Sequence, residues 1–439
     1  MNMIRRIFSP AQPVPAELRR NFLHLYLDIA WWGLLNGSIL VFLGVYASRL
    51  GASTFQLGLL TASPALMNLL FTFPAGTLLE RKPVARVTRW SALLMRLFYF
   101  LLIPLPVLLP AGTQVWVILA ITLLMNIPGT LIAIAFNAFF AEAVPPEWRG
   151  QVAGVRNALF SITTMVTALT VGLILDRTPF AIGYQIVFGI GAFGAMMSAL
   201  HLWLVRLPDK PAVAPSSNGI QKELRAAEKA PLKALRLQAL RLDVLSGAFG
   251  RLLALIFVYQ LGVYLIGPVV PKYQVNVLQL SDVTISQASA LFWVAHFIGS
   301  LQSRRLSQRW GFQRMTGWGL MIVTITLVMF TFSFHRWIYL LHSLIGGIGW
   351  AWIAGGLINF VLERIPADDR PSHLAWFNLI NNAAALLCGL LAPLIAGWIG
   401  MAATLLLAAA LRLGVGVVLC ARKPIQLPRW KPAREKPLS

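Results

Sequence analysis

Asp28 lies in the apolar run LYLDIAWWGLLNGS, followed by Trp32 and Asn36 at helical spacing, so one helix face carries a carboxylate, an indole and an amide. An ionisable group at the centre of a bilayer costs on the order of 2.5–3.5 kcal/mol, so its presence calls for a reason. Either Asp28 is a gate or proton-carrying carboxylate beside substrate-facing groups, or it is a structural acid paired with a base near the membrane rim. Arg251 is the expected partner. Asp28 falls eight residues beyond Arg20 and Arg251 ten beyond Arg241, which at helical rise puts both roughly 12–15 Å from one surface.

Other polar groups inside apolar runs suit binding or packing. Asn68, Asn126, Asn137, Gln260, Trp293, Trp350, Asn359, Asn381 and Asn382 could line a cavity, because amides and indoles hydrogen-bond while offering apolar surface. Interhelical hydrogen bonding is the alternative use of the same residues. His296 and His342 could titrate near neutral pH or simply be hydrogen-bonded. Arg96 and Arg412 are expected to be structural. No His/Asp/Glu cluster has metal-ligand spacing, and Cys388 and Cys420 sit in apolar runs. Without a phosphate loop or a nucleophile motif, neither ATP-driven nor catalytic chemistry is expected, and no cofactor or metal.

Hydrophobic residues make up 58% of the chain and charged residues 12%, about half the charged share of a soluble domain. Twelve apolar runs appear at 22–47, 55–79, 90–109, 114–141, 152–175, 182–206, 243–266, 285–303, 315–333, 337–362, 374–396 and 399–421. Each is long enough to cross a bilayer as a helix, the one open structure that satisfies its own backbone in lipid. The first run is too long for a cleavable leader. The net charge of +22 is concentrated in the tails and the even-numbered connections, whereas the odd ones hold only Arg49, Arg177, Lys272 and Arg336. The positive-inside rule therefore places both termini in the cytoplasm and removes nucleic acid as the reason for the charge. Residues 207–241 begin turn-rich and continue as an amphipathic segment, separating an N-terminal unit at 1–206 from a C-terminal unit at 242–439.

The two units repeat. EAVPPEWRGQVAGVRN returns as ERIPADDRPSHLAWFN 221 positions later, and Arg81, Arg86, Thr88 and Trp90 return as Arg309, Arg314, Thr316 and Trp318 after 228. Six-span parallel repeats, the basic central loop and the sequence Gly76…Glu80-Arg81-Lys82-Pro83…Arg86 together resemble the major facilitator superfamily, with Glu80 for the usual Asp and Pro83 where Gly is usual. The resemblance implies an all-α membrane protein of twelve transmembrane helices in two six-helix bundles. It further implies alternating access around a site between the bundles, with the cytoplasmic loops as latches formed by Glu80, Arg81, Arg86, Arg149, Arg309, Arg314 and Arg370. Drug/proton antiporters of that family carry an Arg four residues before a span 4 Gly, where this chain has Met125 before Gly129. They also carry a Gly-Pro pair in span 5, where Gly172 has no Pro. No sugar-porter signature occurs, so no branch is indicated. The expected protein is a multi-pass monomer of the inner (plasma) membrane moving a small organic solute, with proton-coupled efflux as one form. The alternatives are a lipid or lysolipid flippase of the same fold and a sensor or scaffold without transport.

Overall fold

The computed structural model describes residues 15–207, 242–245, 247–366 and 369–421. The expected amphipathic linker helix and the basic C-terminal tail lie outside the described residues. The described residues hold eleven helical runs long and apolar enough to cross a membrane. They are α1 (Glu17–Arg49), α2 (Thr54–Arg81), α3 (Val84–Leu108), α4 (Ala111–Ala143), α5 (Pro146–Arg177), α6 (Phe180–Leu204), α7 (Phe249–Val277), α8 (Asp282–Thr331), α9 (Arg336–Leu362), α10 (Arg370–Ile399) and α11 (Met401–Ala421).

Two expected runs, 285–303 and 315–333, both fall within α8. Its 50 residues are interrupted at Gly311, where φ is 75° and ψ 162°. A straight helix of that length would reach roughly 75 Å, far more than the ~30 Å hydrocarbon layer, so the break is what allows two arms. The same turn occurs 228 positions earlier with different chemistry. Lys82 and Pro83 are both extended there, with Pro83 at φ −56° and ψ 132° starting α3. Proline fixes one solution to the turn and glycine permits the other. Past the turn the copies converge, since Val87, Thr88, Met315 and Thr316 are buried while Trp90 and Trp318 are exposed.

Aromatic clusters anchor the core before and after residues 208–241. Tyr46, Tyr99, Tyr184 and Phe188 pack together in the first six helices, and Phe249, Tyr259 and Phe360 in the later ones. Exposed Trp90, Trp203 and Trp318 lie toward one end of their helices, and Trp116, Trp337 and Trp398 toward the other. Two such belts are what a chain held at both membrane interfaces presents.

Besides an Asn68–Asn382 amide bond between α2 and α10, three kinds of contact join the first six helices to the later ones. α2 crosses α10 at bare backbone, where a Cβ on Gly58 would stand 2.1 Å from the Gly389 carbonyl oxygen. α5 meets α8 through an edge-on Phe160–Trp293 pair at 5.0 Å. The end of α1 is tied to the start of α8. Arg49 donates from Nε to Asp282 Oδ1 and from Nη2 to the Leu280 carbonyl, both at 2.8 Å, and Lys272 Nζ donates to the Ala52 carbonyl at 2.5 Å.

The backbone of Gly311 lies in a region that only glycine enters cheaply, and a Cβ there meets nothing within 4 Å. Gly311→Val is therefore expected to cost about 1–3 kcal/mol through conformation alone. Thermal unfolding in detergent checks this against Gly76→Ala, a helical position with equally open surroundings. Equal melting temperatures for the two variants would rule out the strained turn.

Candidate substrate-binding site

Asp28 is buried, and its charge is met from three other helices. Arg156 of α5 donates from Nη1 to Oδ2 at 3.1 Å, and Ser198 of α6 donates to Oδ1 at 2.6 Å. Arg96 of α3 places Nη2 3.6 Å from Oδ1 and donates to the Ser198 hydroxyl at 2.9 Å. Arg156 Nη1 also donates to the Leu25 carbonyl at 2.6 Å. Aromatic faces cover both guanidiniums: Arg96 lies 5.2 Å from the Trp32 ring, and Arg156 5.1 Å from Phe136. Beside them is a cavity of about 330 Å³ lined by Asp28, Trp32, Arg96 and Arg156 with Met95, Ile132 and Phe136.

The Asp28–Arg251 bridge, expected for a state closed to the cytoplasm, is not present here, where Arg251 is exposed near the start of α7. Asp28 needs no partner from the later helices when α3 and α5 each supply an arginine. Arg96, expected to be structural, lines the cavity. Arg156 was missed as a site residue. It falls inside the expected run 152–175 but was counted with the basic connection before it, whereas α5 begins at Pro146 and carries Arg156 into the buried interior. The tandem Pro145-Pro146, a helix-start signal, was the clue.

A second cavity of about 420 Å³ lies mainly among the later helices and includes Trp350, His342, Gln274, Tyr339 and Arg412, with Val41 and Val45 of α1. Gln274 donates to the Tyr339 hydroxyl at 2.9 Å, and Arg412 Nε to the Gly262 carbonyl at 2.9 Å. None of the expected amides lines either cavity. Gln260 donates to Asn381 at 2.6 Å, and Asn68 accepts from Thr130 at 2.8 Å and donates to Asn382 at 3.1 Å, so these join helices. Asn126 and Asn359 donate to carbonyls of their own helices. Asn36 sits in a π-helical turn of α1, its amide 3.5 Å from the Thr164 hydroxyl of α5. Trp293 contacts His296 at 5.3 Å beside Phe160.

Among the expected latch residues, Arg149, in the first turn of α5, donates to the Val144 and Ala141 carbonyls at 3.0 and 2.8 Å and so closes the end of the preceding α4. Arg81, Arg86, Arg309, Arg314 and Arg370 are exposed, and the Glu80 side chain lies outside the described residues. Nearby Arg364 is the buried base at this end, donating to Phe360 and to Gln313 across the α8 break. Burial pushes its guanidinium below the usual arginine value, against the opposing pull of Glu363.

Long apolar helices, a charged cluster buried between them and two internal cavities define a multi-pass membrane protein built to hold a solute. Residues 30–281 and 252–439 match the family profile of the Major Facilitator Superfamily. The chain belongs to that superfamily and is accordingly a membrane transporter. Over 125 residues it is 28% identical to "Multidrug resistance protein 2" of Bacillus subtilis (strain 168), a match spanning 28% of this chain and 31% of that relative. A D-xylose-proton symporter shares the fold with a TM-score of 0.67 at 14% identity, over 91% of this chain and 96% of its own. A bacterial homologue of the iron transporter ferroportin in an inward-facing state superposes with a TM-score of 0.65 at 14% identity, over 94% and 100% of the two chains.

Removing the one acid strands two buried cations, so Asp28→Asn is expected to destabilise by about 3–5 kcal/mol. Arg96→Gln leaves an Asp28–Arg156 pair of balanced charge and is expected to cost clearly less. Melting in detergent checks the order, and a reversed order would refute the assignment of Asp28 as shared counter-ion.

Proposed function

We propose that the chain is a secondary transporter that moves a small organic solute across the inner (plasma) membrane by alternating access. In this reading α8 counts as two spans, giving twelve in two six-helix bundles at 1–206 and 242–439, with both termini cytoplasmic and residues 207–241 as the link. The observation that carries it is the uneven contact between the first six and the later helices. At the end with Arg49 and Ala52 they are held by the Arg49–Asp282 pair, the Lys272–Ala52 bond and the Gly58–Gly389 crossing. At the other end Arg81, Arg86, Arg309, Arg314 and Arg370 are exposed and Arg149 caps α4, with no ion pair joining the two sets of connections among the described residues. With the basic end in the cytoplasm, this is an inward-open arrangement, and rocking about the central contacts would exchange the open side.

Efflux is favoured over uptake only by the partial likeness to a multidrug resistance protein. Proton coupling would use Asp28, the buried acid of the first cavity. The protein is taken as a monomer whose partners are its solute, lipid and protons.

The test is purified protein in liposomes carrying a trapped pH-sensitive dye, challenged with solute pools under an imposed proton gradient. Solute-dependent proton flux is expected, abolished in Asp28→Asn. Solute counterflow without proton movement would retain transport and remove the coupling. Exchange of labelled lipid between leaflets in its place would make the protein a flippase, and neither activity would make it a sensor or scaffold.

A further inference from the structure

Two guanidiniums converge on one carboxylate at the smaller cavity, so the buried cluster keeps one uncompensated positive charge. The described lining holds no other acid. Every hydrogen bond of Arg156 leaves through Nη1, and the Arg96 Nε and Nη1 are buried without a hydrogen-bond partner. Arg96 is only 3% exposed, so its unused donors are buried beside the cavity. The face of Trp32, itself half-buried, lies against that guanidinium. A buried cation with unused donors is costly, and an arginine's fork matches an oxyanion with two oxygens. Around it the walls are apolar: Ile29, Met95, Ile132, Ala133 and Phe136. The larger cavity has the same sign, with Arg412 in its lining and no acid.

We infer that the transported solute is an amphipathic anion, whose carboxylate or phosphate group lies against Arg96 and Arg156 and whose apolar body rests on Phe136, Met95 and Ile132. Asp28 then has a positioning role, holding both arginines at the cavity while leaving one charge for the ligand. Trp32 moves off Arg96 as the anion arrives. The inference rests on the transporter reading for its word "transported", but the binding it describes does not require flux.

Binding to the full chain in detergent is measured by calorimetric titration with 2-naphthoate and 2-naphthyl phosphate as anions, 2-naphthalenemethanol as the neutral analogue and 2-naphthylmethylammonium as the cation. The anions are expected to bind at least about tenfold more tightly than the other two, the scale of one charge-assisted contact. Arg96→Gln should erase that preference and Arg96→Lys, which keeps the charge without the fork, should restore part of it. Melting temperatures confirm that each variant is folded. Equal binding of the neutral analogue, unchanged anion affinity in folded Arg96→Gln, or no anion binding at millimolar concentration overturns the inference. Dihexanoyl phosphatidate in a parallel titration separates the sources of the anion, a lipid if it binds more tightly than the naphthyl anions, a free organic acid if less. Counterflow of a bound anion in liposomes is scored separately: binding without counterflow refutes transport and leaves the anion site standing.

Discussion

Asp28 is the interaction on which the first six helices depend. In a medium that cannot solvate ions, each of Arg96 and Arg156 is tolerable only beside a counter-charge. One carboxylate serves both and reaches α6 through Ser198. Four helices are thereby held at one point by polar bonds rather than by fitted apolar shape. Lipid tails are as apolar as leucine, so helices in a bilayer gain little by hiding such side chains from it. The polar knot gives α1, α3, α5 and α6 their relative register, and the cavity is the space left where the knot meets Trp32 and Phe136.

Among the described residues, no equivalent knot ties the later helices. Their polar bonds are spread out: Gln260 with Asn381, Gln274 with Tyr339, Arg412 with a backbone carbonyl, and Arg364 with Gln313. The repeat therefore preserves architecture more faithfully than chemistry. Thr88 and Thr316 are buried alike, and Trp90 and Trp318 are exposed alike, although one turn is made by proline and the other by a glycine at positive φ. What recurs is the place where the chain reverses, because membrane thickness fixes it in both units.

Much of the fold was legible because lipid constrains sequence so strongly: span positions, basic loops and the repeated connections all come from hydropathy and charge alone. The site was legible only in part. Asp28 and Trp32 stood out, since an acid in an apolar run is conspicuous and an indole one turn away shares its face. Arg156 was hidden because it was counted with the basic connection at the edge of its run, although α5 begins earlier, at Pro146, and buries it. Arg49 was hidden in the same way, reading as a stray loop charge until Asp282 proved to be 2.8 Å away. The choice between Arg251 and Arg96 as partner of Asp28 was beyond reach, because equal depth along two helices says nothing about which helix lies beside a third.

The two ends of the molecule differ in the kind of contact they use, and that difference bears on which contacts can be remade. The Gly58–Gly389 crossing needs close backbone approach and is lost wholly once the helices separate. The Arg49–Asp282 bond is partly exposed, with 24% and 15% of the two side chains open to the surface, so both groups have a route to water when it opens. A closure built from one steric fit and one solvent-competent ion pair can release without stranding a buried charge. The Asp28 cluster is the opposite case: its groups are buried, so opening it without a replacement would leave ions unsolvated. Motion is therefore easiest between the first six helices and the later ones, with the Asp28 knot travelling intact, and a change at the knot requires something else to supply the charge that it gives up.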